Sequence, residues 1–553
     1  MQLHQYIITL VMLHTTTLLT AQKDTLPKEQ VIKVKSSFKP VLRNASKLVY
    51  YGTPPLVDST RPTLTYTIPA QNLFFQLQPT PIKPLALPNQ ANEGWSNSNY
   101  VKLGYGNFST PYLQAGLSFG NIKTAAIGIY ANYISSKGTI KNQENANLGL
   151  AIQGSKTTPK GIEIAGKVGY NQDQYRLYGY DHNLYNYTKN QVKQNFSTTN
   201  LTLGFKNVQP TEYGLNYNPK LTANLFTDNK KANEINAILD VPVQKNIGDN
   251  VGIQIGAAVD YTHYTNPSTS INNTIVYIKP ALLLQSNTIK FVGGAIPSWE
   301  NSKFALLPNL TADIKLKASQ YSLQLGWLGY FNKGSYQRWA AINPYIAQPT
   351  TLYNTKVDEK FAGIKGTSGN HIVYSIKASY FSYNNMPLFV NDTTDGKTFI
   401  VTKETSLNAI QIHAEVGVIE KEIFHLTAGV NINNYLNLQN NAKAFGLLPI
   451  EATAALQWQL FKGLWLKADA FVWDGAKFKT KTNQITKLNF VTDVNAGLEF
   501  KVTKQIAVWA NGNNLLNARY QRWRNYDTYG TNFLVGFRYN FSTKSNTTKP
   551  VSE

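Results

Sequence analysis

The sequence is dominated by short runs in which apolar and polar residues alternate. Roughly twenty such runs lie between positions 97 and 541, each about as long as the ~10 residues that a tilted strand needs to cross a bilayer. In the run 251–261, isoleucine, valine and tyrosine fall on one face, and glycine, glutamine and aspartate fall mainly on the other. Because strand side chains alternate with period two, each run predicts a strand with one apolar and one polar face.

Two environments accept such a strand: the packed core of a soluble sandwich, or a membrane with a wet lumen behind it. The same alternation recurs in 410–418, 490–502 and the closing run 533–541. Strands of this number and length exceed one sandwich several times over. The sequence therefore predicts an all-β protein, a large transmembrane antiparallel β-barrel of about 18–22 strands, even in number.

Composition excludes several other classes of protein. The 553 residues include no cysteine, which removes disulfide scaffolds and thiolate metal sites. No stretch after the N-terminal segment reaches the ~18 apolar residues of a membrane-spanning helix. The net charge of +22 comes from lysines and arginines scattered among the runs, a pattern that favours lipopolysaccharide or an anionic solute over nucleic acid, with a plain solvated surface as the alternative.

Four regions are predicted. Residues 1–21 resemble a secretory signal peptide, with a buried N-terminal segment as the alternative. Residues 22–96 form an extended, proline-rich periplasmic or lumenal arm, because proline blocks pairing in central strands. Residues 97–541 form the barrel and 542–553 a polar C-terminal tail. The predicted location is the cell outer membrane of a Gram-negative bacterium.

Two stretches resemble a known family. Asn514, Leu515, Leu516, Asn517 and Tyr520 match a turn, and Gly530, Gly536 and Phe541 match a closing strand. Asn343, Pro344, Glu359, Lys360, Phe361, Gly363 and Lys365 match an Asn-Pro segment and the strand after it. Together they resemble the second half of TonB-dependent outer-membrane receptors, which implies a barrel near the upper strand number and a role in solute transport or reception.

The N-terminal region departs from that family. Its receptors carry a globular plug before the barrel, and residues 22–96 are too few and too rich in proline to form one. The likeness is closest to plugless, receptor-like barrels of Bacteroidota-type outer membranes. The run 29–34, EQVIKV, weakly resembles a segment that binds a TonB-type energy coupler. The alternative function is a non-transporting barrel subunit of an outer-membrane or envelope-assembly complex, with envelope proteins as partners.

No catalytic, cofactor-binding or metal-binding residue is predicted, and the ligand-binding residues are unknown. The histidines form no metal-spaced motif. His413 and Glu415 share a polar face, which is expected to be ordinary lumenal polarity rather than an enzyme site. The aromatic stretch 520–530 is expected to form an interfacial girdle or to pack, with a ligand-binding loop as the alternative. The group Tyr336, Arg338 and Trp339 is expected to belong to a girdle, with a loop contact as the alternative.

An open barrel of this size would leak large solutes across the envelope. The arm is the only spare chain of adequate length outside the predicted strands. Residues 61–88 are therefore predicted to lie in the lumen or against its periplasmic mouth, with a free periplasmic tether as the alternative.

Overall fold

The computed structural model describes residues 99–541 except 122–124, 317–320, 370 and 422. The predicted signal peptide, arm, coupling segment and tail lie outside these residues. The described part contains one helix, α1 (Tyr336–Ile342). Its strands are β1 (Asn99–Gly106), β2 (Thr110–Asn121), β3 (Ala125–Lys137), β4 (Glu144–Thr157), β5 (Ile162–Arg176), β6 (Lys193–Asn207), β7 (Leu215–Tyr217), β8 (Lys220–Asp228), β9 (Asn233–Ile247), β10 (Val251–Asn266), β11 (Thr269–Gln285), β12 (Ile289–Glu300), β13 (Lys303–Lys315), β14 (Tyr321–Asn332), β15 (Thr355–Ser368), β16 (Ile372–Asn391), β17 (Phe399–Glu420), β18 (Phe424–Leu436), β19 (Ile450–Phe461), β20 (Leu464–Trp473), β21 (Lys477–Lys479), β22 (Ile485–Lys487), β23 (Val491–Lys501), β24 (Ile506–Asn513), β25 (Gln521–Trp523), β26 (Tyr526–Asp527) and β27 (Asn532–Phe541).

The wall of the protein is a closed antiparallel barrel of 22 strands. β7 and β8 both pair with β9 in one continuous register, so they form a single wall strand interrupted at Asn218 and Pro219. The ring closes where β27 pairs with β1, from Asn99 opposite Phe541 to Gly106 opposite Leu534. The strands β21, β22, β25 and β26 pair only within loops. The predicted barrel, with an even number of strands at the top of the predicted range, is confirmed.

Each wall strand has a lipid-facing and a lumenal face, as the alternation predicted. On β27, Phe533, Val535 and Phe537 are at least half exposed, whereas Leu534 and Arg538 are buried. β10 repeats the pattern with Ile253, Ile255, Val259 and Tyr261 outside. An apolar side chain remains on a protein surface in such continuous rows when the surrounding medium is lipid rather than water. None of the helices in the described ranges is long and apolar enough to span a membrane.

The two ends of the barrel differ in the length of their connections. One end carries the segments 177–192, 333–354, 437–449, 474–490 and 514–531, whereas the other carries short turns such as 248–250, 286–288 and 462–463. Outer-membrane barrels have short periplasmic turns and longer extracellular loops. The long-loop end is therefore extracellular, and β1 begins and β27 ends at the periplasmic end.

The predicted turn after β24 forms as the sequence indicated. Asn514 and Asn517 both adopt positive φ angles, of 50° and 49°, a conformation that asparagine tolerates better than most residues. The Asn514 amide donates to the backbone oxygens of Ala518 and Tyr529, at 2.8 Å each. This turn starts the longest excursion near the C-terminus, segment 514–531, and directs it over the barrel mouth.

Candidate functional site

Three extracellular loops pack into one buried cluster, which we call the loop cap. Its loop members come from segments 177–192, 333–354 and 514–531 and from Ala232 in the turn before β9, and it rests on aromatic side chains from the ends of wall strands. The buried members are Leu177, Tyr178, Tyr180, Val192, Phe196, Phe226, Ala232, Tyr264, Tyr336, Trp339, Ala340, Tyr345, Ile346, Phe389, Phe399, Trp523 and Tyr526. Loops of this length seldom have a core of their own, and packed ones frequently carry function.

At the centre of the loop cap, one tyrosine from each loop forms what we call the tyrosine hub. Tyr345 and Tyr526 stack with ring centroids 3.4 Å apart. Tyr178 meets Tyr526 edge to face at 4.9 Å and Tyr345 at 6.3 Å. Edge-to-face pairs such as those of Tyr178 each add roughly 0.5–1.5 kcal/mol beyond burial. The hub therefore joins the three loops energetically as well as geometrically.

The hub spans the open end of the barrel. Its three loops follow the 5th, 13th and 21st of the 22 wall strands, so they leave the ring at well-separated points. At a strand spacing of about 4.8 Å and a tilt of about 40°, a ring of this size is roughly 40 Å across. Loops from such separate origins can meet only by crossing above the lumen. The cap thus covers the extracellular mouth with the barrel's own loops.

Polar contacts hold the hub together at its edges. The Tyr178 hydroxyl and the Gln143 amide both donate to the backbone oxygen of Asp527, at 2.7 and 2.8 Å. The Tyr526 hydroxyl donates to the backbone oxygen of Lys397. Burial raises the pKa of Tyr526 well above its usual value, so the ring stays neutral at any physiological pH.

Segment 333–354 is fastened to the wall by the start of α1. The carboxylate of Glu234 on β9 accepts from the backbone N–H of Tyr336 at 2.6 Å and of Gln337 at 3.3 Å. Ser335 caps the helix by accepting from Arg338 N. The first N–H groups of a helix have no partner within it, so these acceptors satisfy donors that would otherwise be orphaned.

A buried lysine fastens the same segment a second time. Lys333 donates from Nζ to the backbone oxygens of Asp260 and Asn273, at 2.8 and 2.6 Å, and lies 3.5 Å from Asp260 Oδ1. Burial lowers the pKa of Lys333 to about 8, although the Asp260 carboxylate opposes the shift. Arg338 reaches the same carboxylate at 3.4 Å and is partly exposed. The protonation of Lys333, and with it the attachment of segment 333–354 to the wall, therefore changes at mildly alkaline pH.

Segment 514–531 is held by a wall strand on the opposite side of the ring and by the loop segment 437–449. Tyr520 donates to Asp493 Oδ2 at 2.6 Å, and Arg522 Nη2 donates to the backbone oxygen of Gly446 at 2.9 Å. Arg522 is 2% exposed and Trp523 1%. Trp523 and Tyr526 pack inside the loop cap, in agreement with the prediction that stretch 520–530 forms a girdle or packs. The girdle expected for Tyr336 and Trp339 is wrong, because both side chains are buried in the same cluster.

The lumenal wall changes charge along its axis. Register and alternation place these carboxylates in its extracellular half: Asp173, Glu234, Asp260, Glu359, Glu451, Asp469 and Asp493. Fewer lie in the periplasmic half: Glu163, Asp313, Glu415 and Glu499. The periplasmic half carries these basic side chains: Lys102, Lys167, Lys206, Lys220, Lys279, Lys290, Lys315, Lys365, Lys377, Lys467 and Arg538. The sequence did not reveal this polarity, because it depends on which end of each strand faces the cell.

Comparison with solved structures finds the same architecture. The FrpB iron transporter of Neisseria meningitidis (F3-3 variant) superposes with a TM-score of 0.64 at 9% identity, covering 82% of each chain. FpvA of Pseudomonas aeruginosa in a pyoverdine–iron complex gives 0.61 at 10% identity, over 81% of this chain and 72% of that one. A mutant of the ferric enterobactin receptor PfeA of P. aeruginosa gives 0.59 at 11%, over 81% of each.

In fold, this is a TonB-dependent-receptor barrel. No protein-family model matches the chain, and no curated protein matches it in sequence. The closed receptor-type barrel and its lipid-facing belt place the protein in the Gram-negative outer membrane.

On the lumenal face of β17, His413 lies close to Glu415, with which the sequence predicted it to share a polar face. Its Nε2 is 3.8 Å from Glu415 Oε2, and its Nδ1 is 2.7 Å from Asn431 Oδ1. Within the described ranges no three His, Asp or Glu residues are arranged to hold a metal ion. The pair is one polar contact among several on the lumenal wall of β16 to β18.

Proposed function

We propose that this protein is an outer-membrane solute receptor and transporter whose extracellular mouth is closed at rest by the loop cap. The tyrosine hub carries the proposal, because it links loops that leave the wall at three separate points. A solute can enter only when the hub separates. The cap thus makes the mouth a gate, in place of the permanent opening of a porin.

The structural neighbours support a transport role. FrpB is an iron transporter, and PfeA is a ferric enterobactin receptor. Identities of 9–11% reflect the barrel and not its ligand, so iron chelates are not assigned to this chain. We infer only the general role, which is capture of a solute at the extracellular face and its passage through a wide lumen.

The loop cap also bears on the role of the N-terminal arm. The arm is not the only chain that can occlude the lumen, because the barrel's own loops cover the extracellular mouth. We retain the arm as a proposal for the periplasmic mouth, with residues 61–88 in contact with it. Deletion of residues 45–90 is expected to raise conductance of a barrel whose cap is already open, and an unchanged conductance would place the arm outside the pore.

The transport proposal is tested by removing the gate and leaving the wall intact. Residues 518–530 are replaced by a short Gly-Ser linker, which removes Tyr526 while all 22 wall strands remain. In planar bilayers the unaltered protein is expected to be mostly closed and the variant to conduct steadily. Heat-modifiable migration on gels verifies that both barrels are folded.

A folded linker variant that stays silent even after residues 45–90 are also deleted would overturn the transport proposal. It would favour the non-transporting subunit of an envelope complex, whose lumen is filled by chain or by a partner. Co-purification of stable partner proteins from the native membrane would then identify that complex.

A further inference from the structure

The strands that close the barrel carry a compact group of charged and aromatic side chains, which we call the seam cluster: Lys102, Lys467, Glu499, Trp509 and Arg538. They lie on β1, β20, β23, β24 and β27, and all face the lumen. Lys102 is directly opposite Arg538. Lys102 and Lys467 are each three residues from the periplasmic end of their strands, so the cluster faces the periplasmic half of the lumen.

The seam cluster is built around one tryptophan. The Trp509 ring lies over Gly104 and Gly536, where an added Cβ would come within 2.4 and 2.7 Å of it. Lys102 Nζ is 4.3 Å from the centre of that ring. The paired glycines thus let the indole lie flat on the wall, and the indole holds the Lys102 ammonium by a cation–π contact.

The charges in the cluster do not balance. Glu499 is paired with Arg538 at 3.4 Å and with Lys467 at 3.7 Å, and it is the carboxylate that acts on Lys102 within the described ranges. Among the described residues, Lys102 and Arg538 therefore share this one carboxylate. Arg538, Lys467 and Glu499 are all less than 9% exposed, and an unbalanced charge is unfavourable at such a buried position.

Two buried N–H donors in the same cluster lack acceptors. Arg538 Nε and Trp509 Nε1 have no hydrogen-bond partner among the described residues, and their side chains are 6% and 4% exposed. Nearly all buried donors in folded proteins are satisfied by protein, water or a ligand. Excess positive charge and orphaned donors at one place are the features of an anion site.

We propose that the seam cluster binds a dianionic group of phosphate size, with Arg538 and Trp509 donating and Lys102 and Lys467 supplying charge. Lys102 is the partly exposed member, so a solute enters past its ammonium. Several other lysines of the periplasmic half are already paired with carboxylates, as Lys206 is with Glu163 and Lys365 with Asp313, so the seam cluster is distinguished by its orphaned donors and not by the overall charge of the lumen. The site indicates that the proposed transporter takes solutes with a phosphate-sized dianionic group. The physiological role of the site rests on that proposed transport function.

Binding of inorganic phosphate tests the site without requiring transport. The full-length barrel in detergent at low ionic strength is titrated with phosphate by isothermal calorimetry, with chloride as the monovalent comparison. We expect saturable phosphate binding that chloride at the same ionic strength does not displace. Lys102→Gln and Lys467→Gln are each expected to weaken it at least tenfold, and Arg538→Lys to weaken it although the charge is kept.

Lys279→Gln is the matched control. Lys279 also faces the periplasmic half of the lumen, but it pairs with Asp240 at 3.5 Å and is remote from the seam, so its loss is expected to change phosphate affinity less than twofold. Absence of binding to the folded wild-type barrel, or equal weakening by Lys279→Gln, would overturn the site. A failure of the phosphate-binding test would leave the gate proposal intact, because the conductance of the linker variant is measured without phosphate.

Discussion

Replacing Tyr526 with alanine is expected to open the loop cap while the barrel stays folded. The ring is fully buried, stacks on Tyr345 and meets Tyr178 edge to face. A buried aromatic of about 200 Å² contributes up to ~5 kcal/mol at ~25 cal/mol per Å², and measured aromatic-to-alanine losses are about 3–5 kcal/mol. Taking ~4 kcal/mol, the equilibrium between closed and open cap shifts by roughly a thousandfold.

The barrel is expected to survive because the deleted ring belongs to no wall strand. All 22 strands pair with their neighbours independently of segment 514–531. Tyr526→Phe keeps the ring and removes the hydroxyl with its hydrogen bond to the backbone oxygen of Lys397, a loss of about 1 kcal/mol. Tyr526→Ala should therefore shift the equilibrium between closed and open cap by roughly two orders of magnitude more than Tyr526→Phe.

Hydrogen exchange of the cap loops is the direct assay. Amides in segments 177–192 and 514–531 should exchange much faster in Tyr526→Ala than in the wild type, with Tyr526→Phe between them. Phe381→Ala is the matched control, since Phe381 is 5% exposed but packs in the wall with Val357 and Ala409. Unchanged protection of both loops in Tyr526→Ala, or an equal loss of loop protection in Phe381→Ala, would refute the hub as the element that closes the mouth.

Three further predictions concern the wall and the loop attachments. Gly536→Val should block closure of the ring, because a Cβ there would lie 1.9 Å from a backbone oxygen of the first strand; heat-modifiable migration should be lost, whereas Gly166→Val, with its nearest atom at 3.4 Å, should fold. Burial destabilises the protonated form of Lys333, whose folded pKa of about 8 lies below the usual 10.5. The stability of the closed cap therefore rises with pH between these two values. Channel openings in bilayers should become rarer from about pH 7.5 to about 9.5, and Lys333→Met should remove that pH dependence. Glu404→Gln should release segment 437–449, because Glu404 accepts from three of its backbone N–H groups at 2.8–2.9 Å; faster limited proteolysis confined to that segment is the expected result, and an unchanged cleavage rate would contradict it.

The sequence by itself determined the wall. Side-chain alternation along a strand is a local property, so 251–261 and 533–541 showed which residues face lipid before any pairing was known. The turn at Asn514 was indicated by the family resemblance, and asparagine suits it because only a few residue types accept positive φ. The strand number followed from counting runs and from the family resemblance, and closure followed because an open edge cannot exist in lipid.

Tertiary structure alone decided the site. Tyr178, Tyr345 and Tyr526 are each more than 160 positions from the next, and aromatic residues in a loop have the same local pattern whether they lie in a girdle or in a cap. The seam cluster likewise unites the first and last strands, which no period along the chain connects. Alternation fixes the face of a residue, but only closure of the ring and the course of the loops fix its neighbours, and in this protein those neighbours form the gate and the proposed anion site.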